Sequence, residues 1–548
     1  MLAPGDAPLA ADLARRAASV SHDGEAIHGA QIIAVIEALA FVESDIDTLI
    51  DAALEHIPRD GTIATMIAAL RQWHRQGLDW RQARERLAAS YGYDKYGGGC
   101  HIVPNHGLVI LGLLFGEGDF QKSLKIVNTC GWDTDCNSGN LGCILGIKND
   151  LAGLDAGPDF RTPVRDRILL PTADGGRCIT DAVQIACEIA NMGRALAGHD
   201  AVAPKEGARF HFDLPGALQG FACDDAPDAR DIVRLENRPG HSRLGQRSLT
   251  LHLTRLAPGR AARITTATFL RPRDVARQFY RIVANPTLYG GQRLTAEVQA
   301  CSKNPVPLAA RLVLRTYDAA DERVLHRGEP VSLPPGERRT LQWTLPDFRK
   351  PIAEIGLELT SDEAMDGRVY FDTLSWSGEP SVDLTPAAQA GNAWRRTWVD
   401  AADVAELAPT IRVIGNERRA MLIQGTRDWC DYTVEATLDV HMANLAGIAA
   451  RAQGLERYYG LVLRAGDELA LIRRDHGDHD LAAAKLPWRF DQSYTLRLEV
   501  TGMRLRGHVD GELLVEAEDQ AFTGGGVALL AERGNAAFRR VHVQPASG

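Results

Sequence analysis

Up to about residue 203 the apolar positions recur every three or four residues, and beyond it they alternate with polar ones. In Glu25–Val42 the series Ile27, Ala30, Ala34, Ala38 and Leu39 has helical spacing. The same texture predicts helices over Asp6–Ser19, Asp45–His56 (stopped by Pro58), Thr62–Arg75, Trp80–Ser90, Asn105–Phe115, Asp119–Thr129 and Thr180–Leu196. In the last of these, Ile185, Ile189, Met192 and Leu196 share one face. Glycine runs at Gly97-Gly98-Gly99 and Gly116-Glu117-Gly118 break the pattern, and Asp119 is placed to cap the helix that follows.

Beyond Ala201–Gly207 short alternating segments are separated by Gly, Pro and Asp turns, as in β-sandwiches. Arg209–Leu214, Ser248–Leu253, Arg263–Phe269, Leu294–Ala300, Leu312–Tyr317, Thr340–Leu345, Ile352–Leu359 and Val369–Trp376 are predicted strands, with Pro334-Pro335-Gly336 as a turn. A second β series starts at Trp429 and runs through Ala446–Ala452, Tyr459–Arg464, Glu468–Arg473, Tyr494–Thr501, Arg504–Val509 and Leu513–Glu516, with Asp510-Gly511 as a hairpin turn. The predicted fold is therefore multidomain: an all-α bundle over 1–203, then two all-β sandwich (jelly-roll) domains over 204–382 and 388–548.

Composition supports that division. A chain of 548 residues is too long for one core, and 45% hydrophobic with 24% charged residues is the balance of a globular protein. A net charge of −10 without basic runs excludes a nucleic-acid footprint. No apolar stretch is long enough to predict a membrane span. The first residues carry neither the basic region nor the apolar core of a signal peptide, although a truncated start would have lost one, so no compartment is assigned. The nine cysteines show no CxxC pairing and are expected to be mostly small buried thiols.

Chemistry concentrates at Cys130-Gly131-Trp132-Asp133-Thr134-Asp135-Cys136-Asn137-Ser138-Gly139-Asn140. In an extended or turn conformation residues i and i+2 point the same way, so Asp133 and Asp135 can converge on one cation. Magnesium takes carboxylates and waters in an octahedral array. The plain alternative is an Asp N-cap on an ordinary helix. Tryptophans at 394, 398, 429 and 488 offer faces for a sugar platform, but sandwich cores consume most tryptophans.

The run H-I-V-P-N-H-G-L-V-I-L-G-L-L-F-G-E-G-D-F-Q-K-S-L-K-I-V-N-T-C-G-W-D-T-D-C-N-S-G-N-L-G-C-I-L-G, from His101 to Gly146, resembles the ADP-ribosylglycohydrolase family in its D-T-D-C-N bacterial branch. The resemblance extends through S-V-S-H-D-G-E-A-I-H-G-A at Ser19–Ala30. It implies an all-helical domain in which Asp133 and Asp135 hold Mg²⁺, and hydrolysis of a glycosidic bond to ribose. The substrate would be ADP-ribose-like or another glycoside, and the branch motif puts His22 near the ribose. Asp23 beside it, His101 and Asn105 at a helix start, and Asn137 complete the candidate substrate-binding residues. For His22 and Asp23 a helix-entry turn with Asp23 as cap is an equal alternative. Cys136 stands where many members have Thr or Ser. A thiol suits Mg²⁺ poorly, so the further oxygen is expected from water, Asn137 or Ser138. Trp132 either walls the pocket or packs, and Tyr93 and Tyr96 are candidate stacking rings.

The family's N-terminal T-D-D cluster and early acid have no counterpart, since the only D-D pair is Asp224-Asp225 in the β part. No general base is assignable, so no catalytic residue is named. A missing N-terminal half is therefore expected, lost from a fragmentary start or supplied by another chain or an oligomer, unless the activity itself is lost. The two sandwiches resemble galactose-binding-like (carbohydrate-binding-module) and concanavalin/laminin-G-like folds, which implies glycan as a partner. The rival reading is a non-catalytic carbohydrate-binding protein with a relic helical domain. A polysaccharide hydrolase with its acid pair in a sandwich cleft is a second rival.

Overall fold

The computed structural model describes residues 1–170, 172–272, 282–386 and 391–546. The expected start of the last domain at 388 lies outside them. Two compact units result, one from Met1–Pro163 with Ala186–Val202 and one from Val164–Ile185 with Ala203–Gly548.

The first unit is helical: α1 (Ala7–Ala18), α2 (Glu25–Leu39), α3 (Ile46–Leu54), α4 (Thr62–Arg75), α5 (Trp80–Tyr91), α6 (Ile102–Phe115), α7 (Phe120–Thr129) and α8 (Thr134–Asp155). A last helix, α9 (Ala182–Leu196), carries the chain across the division between units. Helix α6 is the core. It has no charged residue and is apolar all round, and every residue from Val103 to Phe115 is buried. Two glycines let neighbours approach it. A Cβ on Gly107 would lie 2.8 Å from Leu87 Cδ1 and 2.9 Å from Met66 Sδ, and one on Gly112 would lie 2.7 Å from Leu141 Cδ2. Asp6, Asp45, Asp79 and Asp119 each accept a backbone N–H of the helix they precede. Helix α4 begins at Gly61, which has no side chain to offer. Glu25 supplies the cap from α2, accepting from Thr62 N at 3.0 Å and Ile63 N at 2.8 Å.

His106 on α6 is wholly buried, and burial pushes its pKa down to about 4, opposed by the charge of Glu25. The unfolded chain takes up this proton near the ordinary value of 6.5, whereas the folded helix resists it until about pH 4. The unfolded state therefore binds more protons between those limits, and stability falls as pH falls through that window. Thermal unfolding followed at a helical wavelength should lose roughly 2–3 kcal/mol from pH 6.5 to pH 4. His106→Leu should remove that part of the slope.

The second unit carries two β assemblies. In the first, one antiparallel sheet runs Val331–Leu333, Leu308–Tyr317, Ile352–Thr360, Ala262–Ala267, Ala222–Cys223, and the facing sheet runs Arg338–Thr344, Arg293–Ala300, Met365–Ser377, Arg247–Leu256, Val233–Pro239. Their inner faces enclose one core that includes Phe212, Phe221, Leu251, Ile264, Leu357 and Phe371. The predicted strand Arg209–Leu214 does not form. Phe210 makes a single bridge to Leu374, and Phe212 sits at φ 52°. The N–H groups of His211 and Phe212 are taken by the Gln219 side chain, both at 2.8 Å, instead of by a ladder.

The second assembly is a single thirteen-stranded antiparallel sheet folded on itself. Its closing element is the long strand Gly526–Pro545, which pairs with Val382–Asp383, Ile411–Gln424, Tyr432–Met442 and Leu445–Gly454. Along Ile411–Gln424, Leu422 enters the larger core while Met421 and Ile423 enter a smaller one on the opposite face, the period of two expected of a strand covered on both sides. Thr180 and Asp181, assigned above to the start of α9, instead pair with Arg167–Leu169 in a hairpin. Of the apolar face expected on α9, Ile185 and Ile189 are half-buried and Met192 and Leu196 exposed, and the buried residue of the helix is Val183, off that face.

Candidate functional site

The site is built where α7 ends and α8 begins. Cys130 caps α7, Gly131 follows at φ 76°, and Trp132 takes φ 62°. A bulky residue in the left-handed region is strained, and packing holds it there. The Arg84 guanidinium stacks 4.6 Å from the Trp132 ring centre, and Tyr93 lies 5.3 Å from it on another side. Arg84 also donates to the Cys130 carbonyl at 3.2 Å. Trp132 thus pins the reversal that presents the two aspartates, which is a packing role.

Asp133 stands at the N-cap position of α8, but its side chain accepts no N–H from that helix. Its four counterparts at the starts of α1, α3, α5 and α7 all do. The plain capping role is therefore not taken up. Instead one oxygen each of Asp133 and Asp135 and the sulfur of Cys136 lie within 4.8 Å of one another. Asp133 is half-buried, and Asp135 and Cys136 are exposed, so water has access to the cluster. The Cys136 thiol is pushed up to about 11, first by its hydrogen bond to Asp133, then by burial and by the charges of Asp133 and Asp135. Cys100, at the end of the glycine loop, is held protonated in the same way: the Asp133 charge comes first, then burial and a hydrogen bond to Asp133.

Beneath the turn lies Asn105, buried on α6. Its Oδ1 accepts from Asp133 N at 3.2 Å and from Asn137 Nδ2 at 3.0 Å, while its Nδ2 donates to Tyr93 Oη at 2.7 Å and to the His101 carbonyl at 3.0 Å. These bonds fill the capacity of the amide. Asn105 fixes the turn from below and has no polar atom to spare for a ligand. Asn137 is buried as well, with its Nδ2 spent on Asn105. The Ser138 hydroxyl donates to the Thr134 carbonyl at 2.6 Å and lies 2.9 Å from Asn128 Oδ1. Of the acidic and thiol groups at the turn, the third whose ligand atom converges is Cys136, through its Sγ.

His101 is the N-cap of α6, its Nδ1 accepting from Val103 N at 3.2 Å, with the Tyr96 ring 5.2 Å away. His22 and Asp23 lie in an exposed turn, where Ser21 Oγ and His22 Nδ1 are 2.8 Å apart. Gly24, not Asp23, occupies the N-cap of α2, and at φ 52° it holds a conformation that favours glycine. The residue of that motif with a resolved job is Glu25, the cap of α4.

In the β unit, Asp224 is buried between arginines, accepting from Arg263 at 2.8 Å and from Arg315. Glu358 meets Arg263 at 2.6 Å and Arg327 at 2.9 Å. These acids are structural ion pairs. The sugar-platform tryptophans are core residues: Trp394, Trp398 and Trp429 are buried, and Trp488 packs against the same core while donating to the Arg464 carbonyl at 3.0 Å.

Residues 1–191, the helical region, match the family model for ADP-ribosylglycohydrolase. No curated protein sequence matches the chain. Among solved structures, a carbohydrate-binding module, CBM66, from Bacillus subtilis is 18% identical over 27% of this chain and 94% of its own, with a TM-score of 0.26. The galectin LEC-6 of Caenorhabditis elegans is 14% identical over 27% of this chain and 96% of its own, at 0.19. A putative glycosyl hydrolase from Parabacteroides distasonis is 9% identical over 30% of this chain and 98% of its own, at 0.23. Likenesses this distant carry no functional argument.

Proposed function

We propose, from an ADP-ribosylglycohydrolase domain at residues 1–191, that the helical unit is a metal-dependent glycohydrolase cleaving a glycosidic bond to a ribose-like sugar. The observation that carries this reading is Asp133: it sits where a helix cap belongs, leaves the helix uncapped, and turns its carboxylate toward those of Asp135 and the Cys136 thiol. Exposed hard oxygens with water access are the donor set Mg²⁺ takes. In this reading Asp133 and Asp135 hold the ion, Asn105 sets the angle of the turn through the Asp133 N–H, and Trp132 with Tyr93 keeps the reversal rigid. Mg²⁺ supplies Lewis-acid polarisation of the ribose hydroxyls and of the attacking water. His101 and Tyr96, whose rings lie 5.2 Å apart and tilted at 44° at the start of α6, offer ring surfaces that a sugar or base can contact.

The test is hydrolysis of an ADP-ribosylated peptide and of a nucleoside-like glycoside, with and without Mg²⁺. Asp133→Asn and Asp135→Asn should each lower the Mg²⁺-dependent rate by about a hundredfold or more. Hydrolysis that survives chelation and both substitutions would refute the assignment.

A further inference from the structure

The third ligand atom at this turn is a sulfur, and a second sulfur stands close by. Cys136 Sγ belongs to the set of atoms within 4.8 Å of one another. The Cys100 thiol comes from a different segment, the loop before α6, and hydrogen-bonds the same Asp133 carboxylate. Of the nearby polar groups, the Ser138 hydroxyl donates to the Thr134 carbonyl and lies near Asn128 Oδ1, and Asn137 is buried with its Nδ2 donating to Asn105. Neither thiol is buried, so a cation entering from solvent reaches both.

Sulfur gives Mg²⁺ little, whereas borderline cations of the zinc class bond thiolate strongly in four-coordinate sets of mixed S and O donors. We propose that this site also binds a zinc-class divalent cation, through Asp133, Asp135 and Cys136 with water in the fourth position, and that such a cation displaces Mg²⁺ from it. This rests on the reading of the two aspartates as metal ligands given above. It makes the domain's activity sensitive to thiophilic metals, a property that an oxygen-only turn would lack.

The experiment titrates the reduced, oxygen-free full-length protein with Co²⁺, whose thiolate charge-transfer absorption in the near ultraviolet reports Co–S bonds. Calorimetry with Zn²⁺ and with Mg²⁺ runs in parallel. Wild type should develop the band and saturate with one ion. Cys136→Ser and Cys136→Thr should lose most of the band, and Zn²⁺ affinity should fall roughly tenfold or more while Mg²⁺ affinity holds or improves. Cys100→Ser should leave most of the band. A band that is absent, or equally strong in both Cys136 variants, overturns the proposal. If Mg²⁺ heat still depends on Asp133 and Asp135 in that case, only the zinc-class binding fails. If neither metal responds to Asp133→Asn, the metal reading fails with it.

Discussion

Asn105→Leu should strip the helical unit of about 2–4 kcal/mol of stability and weaken its Mg²⁺ binding by roughly ten- to a hundredfold. Leucine keeps the branched shape and heavy-atom count of asparagine, so the substitution opens no cavity. It follows from what the amide bonds: Asp133 N–H and Asn137 Nδ2 lose their acceptor, and Tyr93 Oη and the His101 carbonyl lose their donor. Asn137 is buried and cannot find water instead. With Asp133 released, α8 is free to take the aspartate as an ordinary cap, which removes one carboxylate from the cluster. Asn105→Asp keeps the acceptors and loses the donors, so it should fall between. Thermal unfolding and Mg²⁺ calorimetry on the same preparations check both effects. Full Mg²⁺ affinity in Asn105→Leu would mean that the turn needs no support from α6.

The second large effect lies in the β unit, in a buried ion pair. Lys205 Nζ meets Asp372 Oδ1 at 2.5 Å, with both side chains almost wholly out of solvent. The amine also donates to the carbonyls of Arg247 at 2.7 Å and of Asp372 at 2.9 Å. Asp372→Ala leaves that ammonium buried without a counter-charge and should cost about 3–5 kcal/mol. Burial already pushes the Lys205 pKa down against the pull of Asp372, so the lone amine would tend to shed its proton. Removing both charges, in Lys205→Met with Asp372→Leu, should recover part of the loss: the buried ammonium is gone, while the half-buried Arg338, which also pairs with Asp372 at 2.8 Å, still loses its partner. Urea unfolding monitored by tryptophan fluorescence measures each variant. Equal losses for the single and double variants would show that packing, not charge, dominates there.

Much of the helical unit was legible because its signals are local. Aspartates at 6, 45, 79 and 119 each precede an apolar helical series and each cap the helix that follows. The apolar run of α6 announced burial, and the i, i+2 spacing of Asp133 and Asp135 placed them on one side. The contacts that complete the site were not legible. Asn105 reaches a turn 28 residues away, and Cys100 reaches Asp133 across a glycine loop whose path no spacing rule gives. In the β unit, alternation located most strands but not their partners. Nothing local in Gly526–Pro545 says that it pairs with four strands and closes the sheet. Phe210 and Phe212 alternate like a strand yet fill the core from an irregular segment, because Gln219 satisfies the backbone that a ladder would otherwise need.

Mn²⁺ reports directly on the aspartate pair, since it takes the same oxygen ligands as Mg²⁺ and scatters anomalously. Crystals soaked in Mn²⁺ should show an anomalous peak between the Asp133 and Asp135 carboxylates, and the peak should vanish in Asp133→Asn. A clean map with no peak at that turn, or one unchanged in the variant, would contradict the assignment of these carboxylates as the metal ligands of the domain.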